Sequence, residues 1–173
     1  MTFTKFHCIS VNMKYATEEV LTDIEDYLLE KYEEADPRFV IHFQTVSRDF
    51  LENNTLEELI KTPVETFQDR LFKMIKEKNL DEVEIYKKGN ISRQLFSKIR
   101  SEKDYHPNKN TIFALAIGMH LTIDETSELL DIAGYSFTST SKTDLIIQYF
   151  MYRNNYDIFT INEVLDKYEQ APL

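Results

Sequence analysis

Between residues 87 and 109 the chain carries seven basic side chains, Lys87, Lys88, Arg93, Lys98, Arg100, Lys103 and Lys109, against two acids, Glu102 and Asp104, a local charge of +5. At its centre stands ISRQLFSKIRS, residues 91–101. These residue types suit the reading of nucleic acid. An arginine fork matches guanine, glutamine pairs bidentately with adenine, and small hydroxyls allow close approach. Lysines alongside neutralise phosphates and fix register without selecting sequence. On a helix, Gln94, Ser97 and Ser101 share one side, with Arg93 and Lys98 at its edges, while Leu95, Phe96 and Ile99 share the side that faces a core. Ser92 is placed to cap that helix. The side so formed, Gln94 and Ser97 with Arg93 and Lys98, is what a groove-entering helix needs, and Lys87, Lys88, Arg100, Lys103 and Lys109 could neutralise phosphates on either side.

Such a helix must be held by others. A helix over 81–88, ended by Gly89, a turn at Gly89-Asn90 and the apolar Ile91 ahead of the next helix give helix-turn-helix spacing. Apolar residues at three- and four-residue steps predict further helices over 65–78, 92–101, 109–120, 124–133, 142–153 and 161–169. Of these, 124–133 is expected to open at Asp124 and stop at Gly134, 142–153 to be capped by Ser141, and the last by Thr160. The aromatic residues Tyr149, Phe150, Tyr152, Tyr156 and Phe159 read as core at that spacing. Ahead of Pro63 the pattern differs. Residues 3–12 read as a strand and 39–46 as a second strand or an irregular extended piece, and a short helix is expected at 55–61. Between them Thr17 caps an amphipathic helix with Val20, Leu21, Ile24, Tyr27, Leu28 and Tyr32 on one face. The fold class is mainly α with a small N-terminal βα(β) element. Three regions follow: 1–62, an acidic segment for dimerisation or partner binding; 64–134, the helix-turn-helix domain; and 135–173, a C-terminal helical extension.

Composition narrows the function. The net charge is −10, and residues 1–64 hold thirteen acids and six bases, so the +5 stretch belongs to a strongly polarised chain. With three glycines and four prolines there is little room for Gly-rich phosphate loops. No P-loop, dinucleotide-binding or H-E-x-x-H motif occurs. The single cysteine, Cys8, excludes an intramolecular disulfide and reads as a buried thiol. His7, His42, His106 and His120 lack metal-ligand spacing. His106, in the basic loop, reads as a solvated histidine and His120 as a helix C-terminal residue. Acid pairs such as Glu18/Glu19 and Glu57/Glu58 suit helix starts, and the run SFTSTSKT suits a polar connector. No enzyme, cofactor or metal is expected. No apolar run long enough to span a membrane occurs, and MTFTKFHC lacks signal-peptide character, so the expected compartment is the cytoplasm.

Taken in order, FQDRLFKMIKEKNL, DEVEIYKKGN, ISRQLFSKI and HPNKNTIFALAIGMHLTIDETSELL resemble the five-helix Cro/repressor (lambda-repressor-like, XRE-type) DNA-binding domain. The resemblance covers residues 64–131. It implies a five-helix bundle followed here by two C-terminal helices, a DNA-binding regulator of repressor type that meets double-stranded DNA as a homodimer, and Ser92, Arg93, Gln94, Ser97 and Lys98 as the base- or phosphate-facing set. The alternative is a non-enzymatic adaptor that uses the same fold to dock an acidic protein partner. Residues 65–173 also resemble a helical module at the C-termini of some bacterial macro-domain proteins. The Gly-rich loops that hold ADP-ribose in such proteins have no counterpart here.

Overall fold

The computed structural model describes residues 65–102 and 105–173, together with Thr22, Asp23, Asp26 and Tyr27. The expected extended segments at 3–12 and 39–46, Thr17 and most of the helix it is expected to cap, the helix at 55–61, Pro63, Cys8, His7, His42 and Lys103 lie outside the described residues. Within them the fold is mainly helical, with no strand. Seven helices run in order: α1 (Phe67–Glu77), α2 (Glu82–Lys88), α3 (Arg93–Ser101), α4 (Lys109–Gly118), α5 (Ile123–Ile132), α6 (Lys142–Tyr152) and α7 (Ile158–Lys167).

Each helix starts on a side chain that accepts hydrogen bonds from otherwise unpaired backbone N–H groups. Thr66 with Asp69, and Thr122 with Glu125, form reciprocal capping boxes at α1 and α5. Asp81, Ser92, Asn108 and Ser141 open α2, α3, α4 and α6. Two starts differ from the sequence expectation. Helix α5 opens at Thr122, two residues before Asp124, because the Thr122/Glu125 pair completes a box that Asp124 cannot. Helix α7 opens at Asp157, and Thr160 sits inside it with its hydroxyl donating to the Asp157 carboxylate at 2.6 Å.

Six of the seven helices end alike. Asn79, Asn90, His120, Gly134, Asn154 and Glu169 each take a left-handed backbone, with φ between 51° and 74°. The residue after each donates its N–H back across the last turn, as in Leu80 to Ile75, Ile91 to Tyr86 and Leu121 to Ala116. This is the Schellman closure, in which the left-handed residue reverses the chain and the next one packs inward. Ile91 and Leu121, at that inward position, are buried. Helix α3 is the exception: its C-cap, Glu102, is extended.

Two helices are buried along nearly their whole length, Thr111–Gly118 in α4 and Asp144–Met151 in α6. Helix α4 packs against α2, α5 and α7, and α6 packs against α5 and α7. The contact of α2 with α4 is unusually close. A Cβ on Gly89 would stand 2.4 Å from the Ala114 carbonyl oxygen, and one on Gly118 would stand 2.4 Å from that of Ile85. Gly89 has φ −80°, so the glycine serves helix approach, while the left-handed turn belongs to Asn90.

Asp144, 1% exposed, joins three elements. One oxygen accepts from Lys109 Nζ at 2.5 Å and from the Thr138 N–H at 2.7 Å, and the other from Ser141 Oγ at 3.1 Å. The connector 135–141 is thereby tied to the starts of α4 and α6. Of the aromatic residues expected in the core, Tyr149 and Phe150 are buried and Tyr156 is half-buried, but Tyr152 and Phe159 are exposed. The core stripe of α6 runs through Leu145, Ile146, Tyr149 and Phe150, and that of α7 through Ile158, Ile161, Val164 and Leu165, which turns both aromatics to solvent.

Candidate nucleic-acid interface

Helix α3 is anchored from one side only. Phe96 packs edge-on to Phe72 of α1, with ring centroids 6.2 Å apart, and tilted against Tyr86 of α2 at 5.8 Å. Ile99 is fully buried and Leu95 half-buried. Gln68 of α1 donates its side-chain amide to the carbonyls of Ile99 and Arg100, which closes the end that lacks a left-handed stop. The other side is open. Ser92, Arg93, Gln94, Ser97, Lys98, Arg100 and Ser101 are all exposed. Ser92 Oγ accepts the Leu95 N–H at 3.1 Å, which leaves its hydroxyl proton free to donate outward.

The ten residues read from the sequence as an interface do not all reach it on equal terms. Ser92, Arg93, Gln94, Ser97 and Lys98 lie together on or at the start of α3, with Lys87 and Lys88 in the last turn of α2. Lys88 pairs with Glu84 at 3.3 Å, and Lys98 with Glu102 at 3.8 Å. Both pairs are exposed, worth well under about 1 kcal/mol, so a phosphate can displace the carboxylate. Arg100, also exposed, is paired with Glu82 of α2 and lies 5.6 Å from the Phe72 ring. Lys109 is engaged with buried Asp144, and its side chain is 24% exposed. The Lys109–Asp144 pair spans 35 positions, which is why a local pattern cannot reveal it. Among the described residues, Lys87 and Arg93 have no acidic partner.

Arg93 is the informative one. The positive end of a helix dipole favours acids, and a cation there costs roughly 0.3–1 kcal/mol. The first turns of α1, α2, α5 and α6 obey this with Asp69, with Glu82 and Glu84, with Asp124 and Glu125, and with Asp144. Helices α3, α4 and α6 begin on the cations Arg93, Lys109 and Lys142, and of these three only α6 has an acid in its own first turn. Lys109 has its anion in Asp144. Arg93 has none among the described residues, although it stands beside the exposed N–H groups of a helix start.

After α3 the loop carries Tyr105, whose ring lies 5.4 Å from Lys98 Nζ, and exposed His106, which packs edge-on to Tyr135. His120 lies flat on Tyr156 with centroids 4.7 Å apart. It borders a cleft of about 140 Å³ shared with Asp81, Glu84 and Lys88, too small for an ordinary organic ligand. Desolvation, and then the Lys88 charge, lower the His120 pKa from its ordinary value. Such an imidazole binds fewer protons folded than unfolded, so stability is present above the unfolded value of about 6.5 and falls as pH drops through and below it. His120→Asn should therefore lose less stability than the natural chain between about pH 7 and 5, as read from urea midpoints.

Among the described residues no helix is long and apolar enough to cross a membrane, and no cluster of His, Cys, Asp or Glu has the makings of a metal site. Comparison of the chain with protein-family models, with curated proteins and with solved structures finds no match.

Proposed function

We propose that the protein binds double-stranded DNA through α3, as a regulator of the lambda-repressor-like helix-turn-helix type. In this reading α1–α5 form the five-helix reading unit and α6 and α7 its extension. Arg93, a cation at a helix start with no acid beside it among the described residues, carries the proposal. A phosphate or a guanine edge supplies the anion or acceptor that those residues do not. Gln94 and Ser97 follow on the same exposed side, and Lys87, Lys88 and Lys98 flank them.

Four cations, Lys87, Lys88, Arg93 and Lys98, are placed to neutralise phosphates, so log K against log salt should fall with a slope of about −3.6. Fluorescence anisotropy on a mixed-sequence duplex at several salt concentrations measures it. Absence of binding at about 50 mM salt overturns the proposal. Arg93→Ala should weaken binding by about 1–3 kcal/mol if the fork reads a base. The same change should raise the stability of the free protein by a few tenths of a kcal/mol, up to about 1, because it removes the cation from the dipole's positive end. A residue kept for folding would behave in the opposite way.

A second reading keeps the face and changes the partner. Glu84, Glu102 and Glu82 pair with Lys88, Lys98 and Arg100, so much of the positive charge is already answered. That arrangement suits the docking of an acidic protein surface. Under this reading duplex binding is absent at low salt, and Arg93→Ala/Lys98→Ala abolishes capture of the protein partner.

A further inference from the structure

Two of the described N-terminal residues, Asp23 and Tyr27, meet the end of α6. Asp23 Oδ2 stands 2.9 Å from Arg153 Nη2, and the Tyr27 ring meets the Tyr149 ring edge-on at 5.3 Å. Asp23 and Tyr27 are one helical turn apart in a helical stretch, and so are Tyr149 and Arg153 at the end of α6. The earlier residue of one pair meets the later residue of the other. Two helices matched in this way run antiparallel, with i and i+4 of each on the shared face.

The seat is chemically suited to its occupant. Tyr149 is only 4% exposed although it lies at the edge of α6, and the Arg153 guanidinium lies 5.5 Å from its ring. Asp23, Asp26, Tyr27, Tyr149, Tyr152 and Arg153 enclose a groove of about 220 Å³, with two carboxylates from the N-terminal side and one guanidinium from the other. In sequence, Tyr27 belongs to the apolar stripe of Val20, Leu21, Ile24 and Leu28, so the face that carries the aromatic contact is the face that needs cover. None of the groups in the seat belongs to α1, α2 or α3.

We propose that α6 is the docking seat of this chain's own N-terminal residues Asp23, Asp26 and Tyr27, held antiparallel by Asp23–Arg153 and Tyr27–Tyr149, so that their acidic charge lies at the end of α6 and off the basic face of α3. Like charges kept off the α3 face spare it their repulsion of phosphates.

The test uses the full chain in a Cys8→Ser background. Asp23→Cys/Arg153→Cys replaces two exposed side chains, each 46% exposed, and is treated with a short bifunctional thiol linker. Asp23→Cys/Gln94→Cys is the control, with its second site on α3. A fixed pair enjoys a high effective concentration, so the first variant should crosslink within one chain roughly tenfold faster or more than the control. In the control, Gln94→Cys should react with a maleimide as fast as a fully exposed thiol. Equal crosslinking rates, protection of the thiol at position 94, or products joined only between two chains would each overturn the proposal. The last outcome would assign the seat to a second copy.

Discussion

Asp144→Ala should lower the unfolding free energy by about 3–5 kcal/mol, a large part of the roughly 5–15 kcal/mol that holds a domain folded. The substitution removes the acceptor of three hydrogen bonds and leaves Lys109, with a side chain 24% exposed, without its counter-charge. The Thr138 N–H and the Ser141 hydroxyl lose their partner in the same step. Breaking one half of a buried pair is expensive because the surviving charge stays desolvated. Asp144→Asn separates the two contributions, since its carbonyl keeps an acceptor for Thr138 or Ser141 while Lys109 remains unpaired. Lys109→Met/Asp144→Asn removes both charges and should recover most of the loss. Urea unfolding of the four proteins measures this. An Asp144→Ala variant within about 0.5 kcal/mol of the natural chain, the range of an ordinary surface change, would mean that the pair does not hold the connector to α4 and α6.

Gly118→Ala should be the second most damaging small change. A glycine-to-alanine exchange in a helix ordinarily stabilises by up to about 1 kcal/mol. Here the new methyl would stand 2.4 Å from the Ile85 carbonyl oxygen and 3.0 Å from the Gly89 nitrogen. Both obstacles are backbone atoms, so no side-chain rotation relieves them and the helices must separate. Forced overpacking costs about 1–3 kcal/mol, and the clash outweighs the propensity gain. Gly89→Ala meets the Ala114 carbonyl in the same way. Since one separation of α2 from α4 makes room for both methyls, the double variant should lose clearly less than the sum of the two. Helix α2 carries the turn and α3 with it, so either change should also weaken the duplex binding proposed for α3, although neither glycine faces outward. Thermal unfolding and anisotropy on the same samples test the two effects together.

Local patterns made much of this fold legible. Phe67, Leu71, Met74 and Ile75 repeat at helical spacing and are buried. Ser92 and Ser141 cap where a hydroxyl before an apolar run predicts. The exposed set Arg93, Gln94, Ser97 and Lys98 follows from the burial of Phe96 and Ile99 and needs no long-range knowledge. What local pattern could not reveal depends on partners remote in sequence. Lys109 looks like one more lysine of a basic stretch until Asp144 is brought to it by the packing of α6. Arg100 looks unpaired until Glu82 and Phe72 are brought beside it. Gly89 reads as a turn residue, and only the arrival of Ala114 shows that a flat helix surface is its purpose. Tyr152 and Phe159 sit one step from the buried stripes, a difference that periodicity over eleven or ten residues does not settle. Gln68 gave no signal of its own, since a surface glutamine on an amphipathic helix is unremarked until it meets the last carbonyls of α3.

That glutamine has a kinetic consequence. Six helices carry their own stop, written in the residues that follow them, whereas the last turn of α3 is closed by a side chain from a helix more than thirty positions away. Fraying of that turn is therefore tied to the departure of α1. Amide hydrogen exchange at Arg100 and Ser101 should follow the opening of α1 as one cooperative unit, while the ends of the other helices exchange on their own schedules. Gln68→Ala should uncouple them and speed exchange at the end of α3 alone.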